Sequence, residues 1–261
     1  MIGRLLLEKF SREYVEAKPD SSPDVDPLST LLECYTDLPA LVRGKRVLDF
    51  GCGRGNQAAA LASRFSASVT GFDTNARTLA DAAAAHGSLV EFIDVIPEGR
   101  TWDIIISLNA MEHYDDPIAA LTTMRHAVCA GGLILISFGP PWWAPYGSHM
   151  HFFCRIPWLQ LWFSEQSIMT VRAKYRSDGA RHFEDVESGL NRMSLANFER
   201  IISSSQLSVT HLHYTGIRRL HWLTRVPVLR ELGTVHVTAI LRKPDGMDNA
   251  DLKSQLTSVS T

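Results

Sequence analysis

The stretch VLDFGCGRGNQAAALASRF, residues 47–65, decides the fold of this 261-residue chain. A short apolar run ends at Asp49, and an alanine-rich helical pattern begins at Asn56. Between them lie three glycines in the spacing G-x-G-x-G, Gly51, Gly53 and Gly55. Glycine lets the backbone turn sharply and approach a ligand with no Cβ in the way. A glycine turn between a strand and a helix predicts a ligand site at the carboxyl end of the strand.

The glycine spacing distinguishes between cofactors. A dinucleotide fingerprint, G-x-G-x-x-G, would place its third glycine where Asn56 stands. No G-K-[ST] follows the glycines, so the stretch is not a P-loop. Asp73 closes the next predicted strand about 20 residues on, where an acid can accept hydrogen bonds from ribose hydroxyls. The pattern therefore favours a nucleoside-containing cofactor other than NAD.

Outward from this stretch, strands and helices alternate. Strands are predicted at 46–50, 68–73, 89–95, 102–110, 133–138, 208–214 and 235–243. Helices are predicted at 56–65, 76–86, 116–132 and 194–206, with Asp116 and Ser194 as caps. This rhythm indicates an α/β fold with a doubly wound, Rossmann-like, mostly parallel sheet. We expect one domain over 45–243, interrupted by an aromatic insertion at about 139–193.

The two ends of the chain have a different character. Residues 1–44 predict an amphipathic helical segment broken at 18–27, with a second helix over 27–41. Residues 244–261 are polar and lack periodicity, which predicts a disordered tail.

Composition excludes several classes of protein. The net charge of −2 argues against nucleic-acid binding. Four scattered cysteines without a C-x-x-C pair predict reduced thiols and a cytoplasmic protein. No apolar run approaches the roughly 18–20 residues of a membrane span. The spacing H-x-H-x-x-C at 149–154 is not a standard metal pattern, so no metal site is predicted.

Five segments, in order along the chain, carry a family resemblance: LDFGCGRG (48–55), GFDTN (71–75), FIDVIP (92–97), SLNAMEHYDDP (107–117) and AGGLILIS (130–137). Together they resemble the motifs of class I S-adenosylmethionine (SAM) dependent methyltransferases. The sequence is most similar to the small-molecule group that includes quinone-biosynthesis enzymes. The resemblance implies SAM as the cofactor and seven strands, the last of them antiparallel.

The resemblance also implies a role for each matching position. Asp49 and Gly51 would hold the methionine end of SAM, with Gly53 and Gly55 close beneath it. Asp73 would bind the ribose. Phe72 or Thr74 would lie beside the adenine. Asp94 would accept a hydrogen bond from the adenine N6, and Ile93 or Val95 would pack on the ring. Asn109 and Met111 would lie under the sulfonium.

The segment 139–158 begins where strand five ends, on the side of the sheet that faces the ligand. Its aromatic residues predict the wall or lid of an acceptor pocket, and the pocket residues are Trp142, Trp143, Tyr146, Phe152 and Phe153. Pro140-Pro141 predicts a loop of fixed shape. The alternative is a hydrophobic insertion that only packs on the domain.

Methyl transfer needs a base only when the nucleophile must lose a proton. The candidates are His149 and His151 in the aromatic segment, and His113 at the end of the fourth strand. His113 could instead form part of the cofactor-pocket wall with Glu112. These histidines favour O-methylation of a small or lipid-like acceptor with an apolar or planar part; N- and C-methylation stay open. The rival interpretation is a non-catalytic SAM-binding module.

The basic and aromatic stretch RRLHWLTRVPVLREL, residues 218–232, allows two interpretations. The favoured one is a crossover that packs before the last strand. The other is contact with an anionic lipid surface, without stable membrane insertion.

Overall fold

The structure is a computed structural model that describes residues 2–14, 26–186 and 189–246. Its centre is a single seven-stranded sheet of order β3-β2-β1-β4-β5-β7-β6. The strands are β1 (Arg46–Phe50), β2 (Ser68–Phe72), β3 (Glu91–Ile93), β4 (Trp102–Leu108), β5 (Val128–Phe138), β6 (Ser208–Gly216) and β7 (Thr234–Arg242). All neighbouring pairs are parallel except those of β7, which runs antiparallel to both β5 and β6. The predicted fold class is confirmed.

Helices cover both faces of the sheet because alternate strand residues point to opposite sides. Within β1, Val47 packs with α2 (Ser29–Cys34), α3 (Leu38–Val42) and α4 (Asn56–Phe65) on one face. Its neighbour Leu48 packs with α6 (Pro117–Ala127) and α9 (Leu195–Ser204) on the other. The remaining helices are α1 (Ile2–Phe10), α5 (Ala76–His86), α7 (Leu159–Trp162), α8 (Glu165–Arg172) and α10 (Arg230–Gly233). The two buried clusters are those expected of a doubly wound sheet.

Short sequence signals, such as capping residues, correctly predicted where most of the expected helices begin. Helices α4 and α5 occupy the predicted ranges. Asp116 caps α6 by accepting from the N–H groups of Ile118 and Ala119, each at 3.0 Å, and Ser194 Oγ accepts from Asn197 N at 3.1 Å. The predicted end of α6 was wrong. The helix stops at Ala127 and the chain enters β5 at the fully buried Val128, which pairs with Trp102.

The amino-terminal segment packs against two different parts of the molecule. Helices α2 and α3 replace the single predicted helix at 27–41, because the chain turns between them and a new helix begins at Leu38, with Pro39 in its first turn. Helix α1 instead packs against α8, with Leu7 fully buried there. The predicted break lies largely outside the described residues, as does the predicted tail from 247 onward.

Residues 2–14, 139–186 and 189–193 together form what we call the cap. The aromatic stretch 139–158 has no helix or strand, as Pro140-Pro141 predicts. Beyond it the sequence reading missed α7, α8 and a 3-10 turn at Phe183–Asp185. Backbone bonds from Arg12 N and Tyr14 N to the carbonyls of Phe153 and Phe152 tie the two segments together, at 2.9 and 2.8 Å. Among the described residues, no helix is long and apolar enough to cross a membrane.

Candidate active site

The glycine loop joins β1 to α4, and each of its glycines meets a different constraint. All three have positive φ, at 84°, 51° and 75° for Gly51, Gly53 and Gly55. A Cβ at Gly55 would lie 2.6 Å from the Phe92 ring, and one at Gly51 would lie 3.2 Å from the Tyr114 hydroxyl. A Cβ at Gly53 would meet nothing within 4 Å. Gly51 and Gly55 thus let the loop pack on the protein, while Gly53 faces open space in which a ligand can lie.

Asp73 connects the end of β2 to this loop. Its Oδ2 accepts from Gly53 N at 2.9 Å, and its Oδ1 accepts from Asn75 N at 2.9 Å. A carboxylate oxygen can accept more than one hydrogen bond, so both oxygens keep capacity for ribose hydroxyls.

Asp49, the fourth residue of β1, is a buried acid with one unpartnered oxygen. Oδ1 accepts from Gln57 Nε2 at 2.9 Å, whereas Oδ2 has no hydrogen-bond partner. Burial raises the pKa of Asp49 to about 7, opposed by the Gln57 hydrogen bond. A buried carboxyl group without a second partner is costly unless a ligand supplies a donor or a positive charge. The methionine ammonium group of SAM would supply both, so the residues present fit this cofactor.

The residues implied for the adenine lie at the ends of β2 and β3. Strand pairing of Phe72 with Ile93 brings the two ends together. Thr74, Asp94 and Val95 are exposed there and accessible to a ligand. Phe72 is buried, with its ring centroid 4.6 Å from that of Phe50, so it packs in the sheet. Ile93 is half-buried against the same core.

At the end of β4 the two residues implied for the sulfonium behave differently. Asn109 is exposed in a left-handed conformation, φ 50°, and its N–H donates to Ser137 O at 2.7 Å. Met111 is fully buried in the core. Its carbonyl accepts from Asn191 Nδ2 at 2.9 Å.

Two of the three candidate bases lie side by side. The ring centroids of His113 and His149 are 5.4 Å apart in an edge-to-face arrangement. His113 Nδ1 lies 2.8 Å from the carbonyl of Gly189. A carbonyl can only accept, so Nδ1 carries the proton and Nε2 is left with a free lone pair.

His149 has a similar arrangement, and both residues are half-buried. It takes φ 56°, and its ring hydrogen-bonds to the carbonyl of Pro140. Its Nε2 is buried and has no partner. Burial lowers the pKa of His149 to about 4, with His113 adding to the effect. His151 is exposed, with its ring beside Tyr146.

The predicted pocket aromatics divide into two groups. Phe152 and Phe153 are buried in the core of the cap, with Phe153 stacked on Tyr175 at 5.4 Å. Trp142 is also buried, edge-on to Phe183. Trp143 and Tyr146 are 37 % and 43 % exposed, which leaves them free to contact an acceptor. Three of the five residues thus pack inside the cap, while Trp143 and Tyr146 stay accessible to solvent.

Three further residues support the site: Glu112, which the sequence analysis placed with His113 in the cofactor-pocket wall, and Tyr114 and Asn191, which it missed. Glu112 is buried, and its Oε1 accepts from Gly139 N at 3.1 Å, where the aromatic segment leaves β5. Its Oε2 has no partner, and burial raises its pKa. Tyr114 donates to Phe50 O at 3.0 Å directly beneath the glycine loop. Tyr114 lies in one of the five segments that carry the resemblance and could have been found there. Asn191 is 80 residues from the carbonyl to which it donates and carries no sequence signal.

Comparisons with known proteins agree with this geometry. The methyltransferase domain family matches residues 28–223. A ubiquinone biosynthesis O-methyltransferase of Neisseria meningitidis is 32% identical over 125 residues, covering 44% of this chain and 51% of that protein. One from Rhizobium leguminosarum is 36% identical over 104 residues, covering 37% and 41%. The chain thus matches about half the length of these curated relatives or less.

Solved structures share the fold. The magnesium protoporphyrin IX methyltransferase of Synechocystis, with bound S-adenosylhomocysteine, gives a TM-score of 0.51 at 14% identity, covering 83% of this chain and 81% of that one. A SAM-dependent methyltransferase from Mesorhizobium loti gives 0.50 at 17% identity, covering 81% and 99%.

A glycine loop whose middle glycine faces open space, a carboxylate at the end of β2 and this strand order define a Rossmann-like methyltransferase fold. The chain belongs to the methyltransferase domain family, whose model matches most of its length. Family and fold are those of the class I SAM-dependent methyltransferases, the class whose cofactor is SAM, as the resemblance predicted.

Proposed function

We propose that this protein transfers the methyl group of SAM to a hydroxyl oxygen of a small acceptor with an apolar part. The observation that carries the proposal is His149 Nε2, a buried nitrogen without a partner beside His113. Its loop begins at the carboxyl end of β5, the edge at which the glycine loop also lies. Parallel α/β sheets bind their ligands at this edge.

When bound, SAM supplies a methyl group already activated on a positive sulfur. The remaining tasks belong to the chain. Asp49 and Asp73 would hold the two ends of the cofactor, and the cap would orient the acceptor and exclude water. Trp143 and Tyr146 would provide the apolar wall.

The proton of the acceptor hydroxyl would pass to His149 Nε2 as the carbon–oxygen bond forms. A hydroxyl oxygen that gains a methyl group becomes positive, and its proton becomes strongly acidic. For this reason an imidazole with a depressed pKa still accepts it. His113, whose ring centroid lies 5.4 Å from that of His149, would be the neighbouring group to receive the proton next.

A hydroxyl acceptor is favoured over an amine because a neutral amine is nucleophilic enough to need little help from a base, whereas a neutral hydroxyl is a weak nucleophile. The names of the relatives support the same choice, since they are O-methyltransferases of ubiquinone biosynthesis. We therefore propose a ring-bearing hydroxyl compound as the acceptor.

The test measures S-adenosylhomocysteine release with pairs of acceptors that differ in one atom, a hydroxylated aromatic ring against the matching aniline. Turnover with the hydroxyl member, and little or none with the amine, supports the proposal. SAM binding without release from any pair would favour the rival, a non-catalytic SAM-binding module. Preference for the amine would exclude O-methylation.

A further inference from the structure

Residues 217–233 connect β6 to β7 and form a hairpin-like projection at the carboxyl edge of the sheet. β7 begins at this edge, since Val237 pairs with Phe138 at the end of β5. The projection therefore stands on the same edge as the candidate active site. It contains a 3-10 turn at His221–Arg225 and the short helix α10.

One side of the projection is firmly attached to the domain. Ile217 N donates to Gly233 O at 3.0 Å, and Leu223 packs against Gly233. Glu231 accepts from the N–H groups of Leu195 and Ala196 at the start of α9, at 3.0 and 2.8 Å. These contacts give the predicted crossover a fixed shape.

The other side exposes apolar residues to solvent. Val228 is 85 % exposed and Trp222 is 50 % exposed, and Leu220 and Val226 are exposed beside them. A segment held this tightly could have turned such side chains inward. Contiguous exposed apolar residues on a fixed surface mark an interaction site.

Cations surround these apolar residues. Residues 217–230 include four arginines and no acidic residue. Arg230 is turned inward and pairs with Glu199 at 2.8 Å. Arg218, Arg219 and Arg225 are exposed, and within the part of the chain that the structure describes they form no ion pair.

We propose that this projection docks on an anionic lipid surface. Tryptophan and aliphatic side chains amid unpaired arginines suit the boundary between headgroups and acyl chains, where the arginines meet lipid phosphates. Because the projection shares an edge with the active site, docking would turn the site toward the membrane. The idea that a lipid-like acceptor arrives from that surface rests on the proposed function; the docking itself does not.

The experiment measures co-sedimentation of the full chain with vesicles of phosphatidylglycerol and phosphatidylcholine, against phosphatidylcholine alone. We expect binding to the anionic vesicles that weakens as salt rises. The test variant is Arg218→Gln with Arg225→Gln, two exposed arginines of the projection. The matched control is Arg43→Gln with Lys45→Gln, two exposed cations beside the opposite end of β1.

Each arginine near an anionic surface contributes about a fivefold effect, so the test variant should bind about thirtyfold more weakly. The control should bind like the wild type, and both should keep the wild-type melting temperature. Equal binding of test and control variants would overturn the proposal. So would a failure of the wild type to bind anionic vesicles, or equally tight, arginine-dependent binding to duplex DNA.

An assay of methyl transfer to a water-soluble acceptor tests the proposed function separately from membrane docking. The test variant should turn over such an acceptor at the wild-type rate. A chain that binds vesicles but shows no methyl transfer would leave the docking surface in place and remove the proposed function.

Discussion

Gly53 N donates to Asp73 Oδ2 over 2.9 Å, so the carboxylate at the end of β2 also fixes the glycine loop that follows β1. The same side chain therefore has two tasks, one within the protein and one toward a ribose. Substitutions can separate them, because asparagine can still accept from Gly53 N but carries no charge.

We expect Asp73→Ala to weaken SAM and S-adenosylhomocysteine binding by about ten- to a hundredfold, as charge-assisted hydrogen bonds are lost. Asp73→Asn should fall between the wild type and Asp73→Ala. Calorimetry with S-adenosylhomocysteine measures both. Asp81→Ala, which removes an exposed carboxylate on α5, is the control and should bind normally. Wild-type affinity in Asp73→Ala would contradict the ribose role.

Crowding at Gly55 predicts a stability difference between two glycines with nearly the same backbone. Gly55 and Gly99 have φ of 75° and 77°, but only at Gly55 would a Cβ strike a neighbour, the Phe92 ring. Both alanine variants should lose about 1–2 kcal/mol to the left-handed conformation. Gly55→Ala should lose about 1–3 kcal/mol more from overpacking. Chemical denaturation measures the two free energies of unfolding; equal values would show that the loop shifts without cost.

Asp49 predicts a pH dependence of cofactor binding. Its pKa of about 7 means that the buried carboxyl is largely protonated below neutral pH. The methionine ammonium group pairs with the ionised form, so SAM affinity should be flat above pH 7 and fall about tenfold per pH unit below it. Asp49→Asn should bind weakly with no such slope. Calorimetry from pH 5.5 to about 8.5 tests this, and an affinity that rises on acidification would contradict it.

The Asp49 carboxyl also makes the free energy of unfolding depend on pH, in a direction that follows from its raised pKa. Its pKa is raised on folding from the ordinary 3.8 to about 7, so the folded chain holds an extra proton between these values. The free energy of unfolding therefore loses a contribution as pH rises through this window. In Asp49→Asn that contribution should be absent, and the variant should gain on the wild type as pH increases. Denaturation at several pH values measures it; parallel curves would show that Asp49 is ionised throughout.

The sequence predicted the fold well because its information there is local. The G-x-G-x-G turn, the caps Asp116 and Ser194 and the alternation of strands each act over a few residues. The end of α6 was misjudged because Val128 fits a helix pattern as well as a strand, and only pairing with Trp102 decides between them.

The candidate site was less accessible to sequence reasoning, because it depends on contacts across long distances in the chain. The spacing of His149 and His151 gave no means of separating a buried ring from an exposed one. That difference comes from the carbonyl of Pro140 and from His113, which the fold brings to His149. Similarly, Phe152 and Phe153 lie in the cap in contact with Tyr175 and the amino-terminal segment. No sequence pattern predicts these contacts.

Substitutions of His149 and His151, the two histidines of the aromatic segment, form a matched pair of tests. His149→Gln should lower kcat by about 10²–10⁴-fold, the usual contribution of a general base, and leave SAM affinity nearly unchanged. His151→Gln should keep turnover within a few-fold, because its ring is exposed. Higher pH should partly rescue His149→Gln with an acidic phenol, since the phenolate needs no base. Normal turnover in His149→Gln would move the role to His113 or leave proximity alone as the mechanism.

The lowered pKa of His149 also predicts how kcat depends on pH. With a pKa of about 4 its imidazole stays neutral across the physiological range, so its protonation should not reduce kcat between pH 5.5 and about 8. A steady-state profile of kcat measures this. A fall in kcat with a midpoint near pH 6.5 in the wild type, retained in His149→Gln, would identify a different histidine as the titrating group.

The most direct test follows the methyl group itself. SAM labelled with carbon-13 on its methyl group is incubated with the protein and a hydroxylated aromatic acceptor, and the product is observed by NMR. The account predicts a labelled methoxy carbon that appears in step with an equal amount of S-adenosylhomocysteine. A labelled N-methyl or C-methyl product, or cofactor that stays bound and intact, would contradict it.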